Sequence, residues 1–217
     1  MPDPCAACGA CCRSFVVPVA GQDVWTLLTR LHLAAEAFLV VCRQMTPSPG
    51  GFRLQRGGAL HALALAKQGH FAAGQPCVFL ATSPDGSSRC RVYADRPAVC
   101  RRYPMTLSDS GVGQRADSLC PPDAWPDDEP QRPAWRAALD QLRLQQDIYA
   151  EVATRWNAMV DEAPPAVRLL PPAYLNYVLS IYDRLGRVQP EPAEAKAIIW
   201  QIYPQVEAQW MTLGSSG

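Results

Sequence analysis

The nine cysteines are the residues of this chain best suited to chemistry, and eight of them fall into two groups. The first group has the spacing C-x-x-C-x-x-C-C and consists of Cys5, Cys8, Cys11 and Cys12. The second group consists of Cys77, Cys90, Cys100 and Cys120. Thiolates are ligands of zinc and of iron–sulfur clusters, and C-x-x-C loops let two thiolates turn toward one metal. The pattern therefore predicts a metal-thiolate protein with these eight ligands.

The spacing leaves the identity of the metal open. Zinc takes four thiolates in a tetrahedral array, and closely spaced cysteines followed by a distant one are typical of iron–sulfur clusters. Eight thiols could form two four-coordinate sites, or one cluster with open positions. Adjacent side chains cannot easily share one face of a cluster. We therefore expect Cys11 and Cys12 to serve different metals, or one of them to be spare.

The remaining cysteine and the histidines are interpreted as structural residues. Cys42 lies on the apolar side of a predicted helical segment, which indicates a buried core thiol. The histidines stand singly in apolar or glycine-flanked surroundings, so we do not expect them to be metal ligands; they are His32, His61 and His70.

Arginines crowd the second cysteine group, and Arg91, Arg96 and Arg101 are the candidates for support of the metal. A metal held by four thiolates carries net negative charge, which nearby guanidinium groups would offset. Two alternatives stay open. One is a small anionic substrate bound beside the metal, and the other is solvated surface arginines that stack on Tyr93 and Tyr103.

Composition argues against several classes of protein. The chain of 217 residues has a formal net charge of zero, so charge predicts neither nucleic-acid nor anionic-membrane binding. It contains no apolar run of the about 18 residues that a membrane span needs. The sequence also shows no secretory signal pattern, so we expect a cytoplasmic protein. A reducing compartment favours metal binding over disulfides.

The hydrophobic pattern predicts short elements in the first half of the chain. Residues 15–19 and 52–54 are expected to be strands, and helical spacing is expected from residue 21 to residue 31 and again over residues 34–42. Two hairpins are predicted, one over residues 77–93 with its turn at Asp85-Gly86, and one over residues 103–116. Between them, Asp95 is expected to cap a helical turn that presents Cys100.

Beyond residue 121 the composition changes to prolines and acids, and then to helical periodicity. One long helix is expected around Trp135 to Met159, a second from Pro171 that closes at Gly186, and a third from Pro192 that is interrupted at Pro204. The predicted fold class is α+β, dominated by helices. Residues 1–121 form a small irregular cysteine domain that the metal holds together, and residues 122–217 form a helical region that can also pack with it as one unit.

Together, the two cysteine groups and the segment R-P-A-V-C-R-R-Y-P at residues 96–104 resemble the YkgJ-type cysteine-cluster family. The resemblance covers the region from Cys5 to Cys120. It implies a bacterial cytosolic domain that chelates zinc or iron or holds an iron–sulfur cluster. Flagellin lysine methylases look like they contain a similar domain, but this chain has no convincing glycine-rich cofactor loop, so methylase activity is not transferred.

The leading hypothesis is therefore a protein that binds an iron–sulfur cluster, or zinc or iron ions, through clustered cysteines. The alternatives are a structural zinc module that presents its helical region to a protein partner, and a metal-handling protein in which Cys11 or Cys12 is a labile ligand. The sequence does not identify the protein or electron-transfer partner that these hypotheses would involve. The sequence contains no Ser-His-Asp arrangement and no P-loop, so it predicts no catalytic residue and no reaction.

Overall fold

A computed structural model describes residues 8–69, 74–109, 111–120, 124–125, 131–188, 194, 197–198, 200–204 and 206. About 48% of it is helical, with a few short antiparallel strand pairs in the N-terminal part, so the predicted helix-dominated α+β class is confirmed. The chain divides into two compact units. Unit 1 is Met1–Val19, Thr26–Val40 and Leu63–Arg143, and unit 2 is Ala20–Trp25, Val41–Ala62 and Leu144–Gly217.

The elements alternate short helices and strands before two long helices. In chain order they are α1 (Ala10–Ser14), α2 (Gly21–Arg30), a 3-10 turn (Ala35–Ala37), β1 (Leu39–Arg43), β2 (His61–Leu65), β3 (Leu80–Thr82), β4 (Ser88–Cys90), a second 3-10 turn (Tyr93–Asp95), α3 (Ala98–Arg102), β5 (Met105–Ser108), β6 (Gly111–Gln114), α4 (Arg132–Glu162) and α5 (Pro171–Val188). The described strands form three two-stranded sheets, β1–β2, β3–β4 and β5–β6.

Both predicted hairpins are present in unit 1. Strands β3 and β4 pair antiparallel, with Leu80 opposite Cys90, and β5 pairs antiparallel with β6. Gly86 at the first turn has φ 84°, a left-handed conformation that glycine adopts without steric strain. The Asp85 carboxylate accepts a hydrogen bond from the Ser87 backbone N–H at 3.0 Å, which closes the turn.

The predicted strand at residues 15–19 and the predicted helix at residues 34–42 are wrong. Residues 15–19 make only a single bridge, between Pro18 and Ala64, since proline has no N–H to extend a ladder. The second segment becomes a 3-10 turn followed by strand β1, which pairs with β2. Pairing with a distant strand overrides the helical spacing of its apolar residues. Cys42 therefore lies on a strand and is half-buried rather than buried in the core.

Two smaller expectations also differ from the structure. Residues 52–54 form one bridge, Phe52 with His61, rather than a strand. Asp95 does not cap α3, because Pro97 occupies the N-cap position and makes no side-chain cap. The Asp95 carboxylate instead accepts a hydrogen bond from Arg30 at 3.3 Å.

An aromatic core holds unit 2 together. Phe52 stacks on Tyr174 with ring centroids 3.7 Å apart, and Trp156 packs edge-on against Tyr174 at 5.3 Å. The Trp156 indole N–H donates to the Arg53 carbonyl at 2.7 Å, which satisfies the polar atom of a fully buried ring. Trp156 lies on α4 and Tyr174 on α5, so both long helices that the periodicity predicts contribute to this core.

Gly186 is inside α5, which runs to Val188, so the prediction that Gly186 closes the helix is wrong. A Cβ at this position would lie 2.7 Å from Cζ2 of Trp25. The glycine is therefore explained by the close approach of an indole ring, not by a C-cap conformation.

We expect Gly186→Ala to destabilise unit 2 by about 1–3 kcal/mol, the usual penalty of overpacking. Helix propensity alone would favour alanine by about 1 kcal/mol, so the two explanations predict opposite signs. Urea denaturation measures the sign. Ser180→Ala on the same helix is the control, and stabilisation by Gly186→Ala would show that the Trp25 ring does not block the site.

Burial raises the pKa of the hydroxyls of Tyr149, Tyr174 and Tyr182 in unit 2. An exposed tyrosine in the unfolded chain has a pKa of about 10. Because the pKa values are higher in the folded protein, the contribution of these three hydroxyls to folding stability is complete below pH about 10. It is lost as the pH rises above that value. We expect these hydroxyls to ionise only on unfolding. Tyrosinate absorbance and circular dichroism in an alkaline titration should therefore change together for this group.

Two expectations about the C-terminal half stay predictions. The boundary after residue 121 and the start of a helix at Pro192 lie outside the described residues. The residues described between 194 and 206 are helical. Residue 205 lies outside the described residues, so the interruption at Pro204 stays a prediction. Among described residues, none of the helices has the length and apolar character needed to span a bilayer.

Candidate metal centre

Seven of the eight described cysteines line one cavity in unit 1. They are Cys8, Cys11, Cys12, Cys77, Cys90, Cys100 and Cys120. None of these thiols is in a disulfide. The exception is Cys42, which the sequence also separates from the two groups. Cys5 lies outside the described residues.

The loop between Cys8 and Cys11 depends on a glycine. Gly9 has φ 66°, a left-handed conformation that favours glycine. A Cβ there would lie 3.0 Å from the Cβ of Ser88 and 2.8 Å from Nη1 of Arg13. Arg13 in turn donates from Nη2 to the Ser88 hydroxyl at 2.6 Å. The glycine thus lets the Cys8–Cys11 loop lie close against the β3–β4 hairpin, which carries Cys90.

Lys67 ties the first cysteine group to the second. Its side chain is 9% exposed, and its Nζ donates to the carbonyls of Cys12 at 3.0 Å and Phe15 at 2.6 Å. The Cys12 carbonyl also accepts the backbone N–H of Cys77 at 2.8 Å. Backbone and ammonium groups therefore hold the end of α1 beside the residue that opens the second group. Charge-assisted bonds of this kind are about twice as strong as neutral ones.

The thiols of Cys77 and Cys90 accept backbone hydrogen bonds. The N–H of Phe79 donates to the sulfur of Cys77, and the N–H of Val92 donates to the sulfur of Cys90. In both cases the donor lies two residues after the cysteine. Donors aimed at sulfur stabilise the thiolate and tune the metal that it binds. The hairpin therefore presents Cys77 and Cys90 in a form suited to metal ligation.

Burial raises the pKa of the thiols of Cys77 and Cys90, and the charge of Cys11 adds to both effects. A hydrogen bond with the Cys12 side chain, together with burial, raises the pKa of the Cys11 thiol. The Cys11 thiol is thus electrostatically coupled to those of Cys12, Cys77 and Cys90. The expectation that Cys11 and Cys12 serve different metals, or that one of them is spare, stays a prediction. Which metal each thiol binds stays a prediction.

Of the three candidate arginines, Arg96 alone lines the cavity. Its guanidinium lies 4.0 Å from the ring centroid of Tyr93, and its charge acts on Cys90 to favour the thiolate. Arg91 is exposed, and Arg101 does not line the cavity. Arg96 thus stacks on Tyr93 and also favours the Cys90 thiolate, and its support of a metal stays a prediction.

We expect Arg96→Ala to weaken metal retention about tenfold, since a charge-assisted interaction contributes about 1.5–3 kcal/mol. Competition with a chelator of known affinity measures the change. Arg91→Ala, which changes an exposed arginine that does not line the cavity, is the matched control. Equal retention in both variants would contradict a supporting function for Arg96.

The residues present fit a metal-thiolate centre in their donor chemistry. The cavity brings together soft thiol ligands, N–H donors on sulfur, and cationic side chains that offset thiolate charge. In the part of the chain that the structure describes, no three His, Cys, Asp or Glu side chains approach closely enough to hold one ion. The structure thus shows the set of thiols and leaves their division among sites undecided.

Three contributors to this region are absent from the sequence-based prediction: Lys67, Arg13 and Arg115. Arg115 lines the cavity, and Arg13 and Lys67 hold the backbone around it. The only available signal was composition, because Lys67 is one of two lysines in a chain with twenty basic residues. His32 and His61 do not line the cavity, and His70 lies outside the described residues.

The model of the CxxCxxCC family, described as a candidate zinc- or iron-chelating domain, matches residues 4–121. The chain belongs to this family. The match spans both cysteine groups and ends one residue after Cys120, so all the cavity thiols are inside the CxxCxxCC domain. Comparisons with curated proteins and with solved structures return no match.

Proposed function

We propose that this CxxCxxCC protein binds an iron–sulfur cluster through its cavity thiols together with Cys5. The observation that carries the proposal is that seven cysteines from two distant groups line one cavity. One structural zinc ion or one iron–sulfur cluster takes four cysteine ligands, so a single centre of either kind would leave several cavity thiols unused. A cluster together with a second metal uses the full set, and closely spaced cysteines followed by distant ones are typical of iron–sulfur clusters.

The residues of the chain would each contribute to such a centre in a definite way. Lys67 holds the carbonyls of Cys12 and Phe15, which fixes the end of α1. The N–H groups of Phe79 and Val92 stabilise sulfur charge on the hairpin. The bound cluster supplies one-electron redox chemistry, and its potential depends on charge, hydrogen bonds and exposure. A protein that accepts or donates electrons is the partner that this proposal implies.

A reducing compartment such as the cytoplasm belongs to the same proposal. The eight described cysteines are free thiols, and free thiols persist where disulfides are reduced. Metal binding requires their deprotonation and releases protons, so binding should weaken as the pH falls.

The test is the metal content of protein purified without oxygen. Iron, zinc and acid-labile sulfide are measured on the same sample, together with the visible absorption spectrum. Stoichiometric iron and sulfide with a brown colour would support the proposal. A colourless protein with zinc alone would replace the cluster by a structural zinc module, and a protein with no stoichiometric metal would contradict any metal centre here.

A further inference from the structure

We propose that the cysteine-lined cavity also contains a binding site for a small organic anion with an aromatic or otherwise apolar body. This inference deepens the proposed function, since the ligand would lie in the same cavity as the metal centre. It rests on the size of the cavity, the nature of its non-thiol walls and the charges that line it.

The cavity is larger than a single metal ion needs. Its volume is about 360 Å³. A water-sized group occupies roughly 30 Å³, whereas pockets for small organic ligands measure about 300–1,000 Å³. The volume of the cavity therefore falls within the range of pockets for small organic ligands.

The walls that are not thiol are mainly apolar and aromatic. They include Phe15, Val17, Phe79, Tyr103, Leu119 and Trp125. Phe15 and Tyr103 meet edge to face with centroids 5.6 Å apart, and the Tyr103 hydroxyl accepts the Leu119 N–H at 2.6 Å. This aromatic wall is thus fixed by its own contacts. A fixed apolar wall with few polar groups is typical of a site that binds the body of a small molecule.

The charged side chains among the described lining residues are arginines, Arg96 and Arg115, and no carboxylate is among them. Arg96 acts on the Cys90 thiol, so Arg115 is the residue available for a ligand anion. Its guanidinium donates two hydrogen bonds of 2.8 Å to the carboxylate of Asp117. The side chain of Arg115 is 49% exposed and that of Asp117 is 63% exposed. Both side chains of this bidentate pair are largely in solvent, where water and salt screen their attraction. A carboxylate or sulfonate ligand can therefore compete with Asp117 for Arg115.

The side chains of the lining that reach solvent mark an entrance. Val16 is 51% exposed and Leu119 is 41% exposed, and both line the cavity. Arg115 is exposed to a similar degree. We therefore place the anion of the ligand at Arg115, near the entrance, and its apolar body along the wall formed by Phe15 and Tyr103.

The test uses two probes with the same rings on the metal-loaded, full-length protein. Anilinonaphthalene sulfonate carries an anion, and N-phenyl-naphthylamine lacks it. We expect saturable fluorescence enhancement by the sulfonate at one site per chain, with affinity at least tenfold higher than for the neutral probe, as a charge-assisted bond predicts. Near-ultraviolet circular dichroism verifies that the protein is folded, since a loosened core also binds such probes.

Variants then locate the site. Val16→Trp should fill the entrance and reduce sulfonate affinity more than tenfold, whereas Val167→Trp, an exposed valine outside the cavity, should leave it unchanged. Arg115→Gln should reduce the affinity about tenfold, and the exposed Arg91→Gln should not. The metal content of every sample is measured in parallel.

The outcomes separate this inference from the proposed metal centre. A metal-loaded protein that shows no saturable binding, or that binds both probes equally, would overturn the organic-anion site and leave the metal centre in place. Equal affinity in Val16→Trp and Val167→Trp would also overturn it. Probe binding with the expected pattern in a protein that lacks metal would support the organic-anion site while contradicting the cluster.

Discussion

Replacement of Cys77 by serine is expected to abolish stoichiometric metal binding and to unfold unit 1 under conditions in which the unaltered protein is folded. The Cys77 residue is 5% exposed and its sulfur accepts the Phe79 N–H, so no other group can take its place. Structural metal sites contribute about 10–16 kcal/mol of apparent binding free energy to folding. Metal analysis and thermal denaturation under anaerobic conditions measure both effects.

Cys42 supplies the matched control for this experiment. It is the described cysteine that does not line the cavity, and it is half-buried on strand β1. Cys42→Ser should keep the full metal content, with at most a modest decrease in stability. If both serine variants bind the same amount of metal, the cavity thiols are not the ligands, and the assignment of the metal centre fails.

Lys67→Met is expected to destabilise unit 1 by about 2–3 kcal/mol. The substitution removes a nearly buried ammonium group that bonds to two carbonyls. The Cys12 carbonyl keeps the Cys77 N–H as a donor, but the Phe15 carbonyl loses the donor that the structure gives it. A part-buried acceptor without a donor accounts for most of the expected loss. Urea denaturation of the metal-loaded protein measures it.

The effect of Lys67 on the metal centre is measured on the same variant. Because Lys67 positions the backbone of Cys12, metal release to a chelator should also become faster. Arg89→Met, which removes an exposed cation elsewhere on the hairpin, is the control and should change neither property. Faster release without loss of stability would mean that Lys67 acts through its charge on the thiols rather than through the backbone.

Much of the candidate metal centre could be predicted from the sequence because all of its candidate ligands are cysteines. Cysteine spacing separates Cys42 from the other thiols, and the structure brings seven of those others to one cavity. The two hairpins were predictable from local signals, since Asp85-Gly86 closes a turn that depends on neighbouring residues alone. The long helices had many periodic positions, which makes a helical assignment robust.

The failures share a physical cause, which is interaction between residues far apart in the chain. The segment 34–42 has apolar residues at spacings that suit a helix, yet residues 39–43 pair with β2. The Lys67 ammonium stabilises carbonyls that lie more than fifty residues earlier. The residues around Gly186 have a helical pattern, but a side chain at this position is excluded by the ring of Trp25. None of these partners can be recognised from a local pattern.

The division of the thiols between two distant groups has a consequence for synthesis of the protein. Cys8 and Cys120 are separated by about 110 residues, and both line the same cavity. At a translation rate of about 10 residues per second, the first thiols leave the ribosome roughly 10 seconds before the last. The nascent chain therefore displays reactive cysteines before its binding site is complete. If all of these thiols are metal ligands, the complete set is available to a metal only after Cys120 has been synthesised.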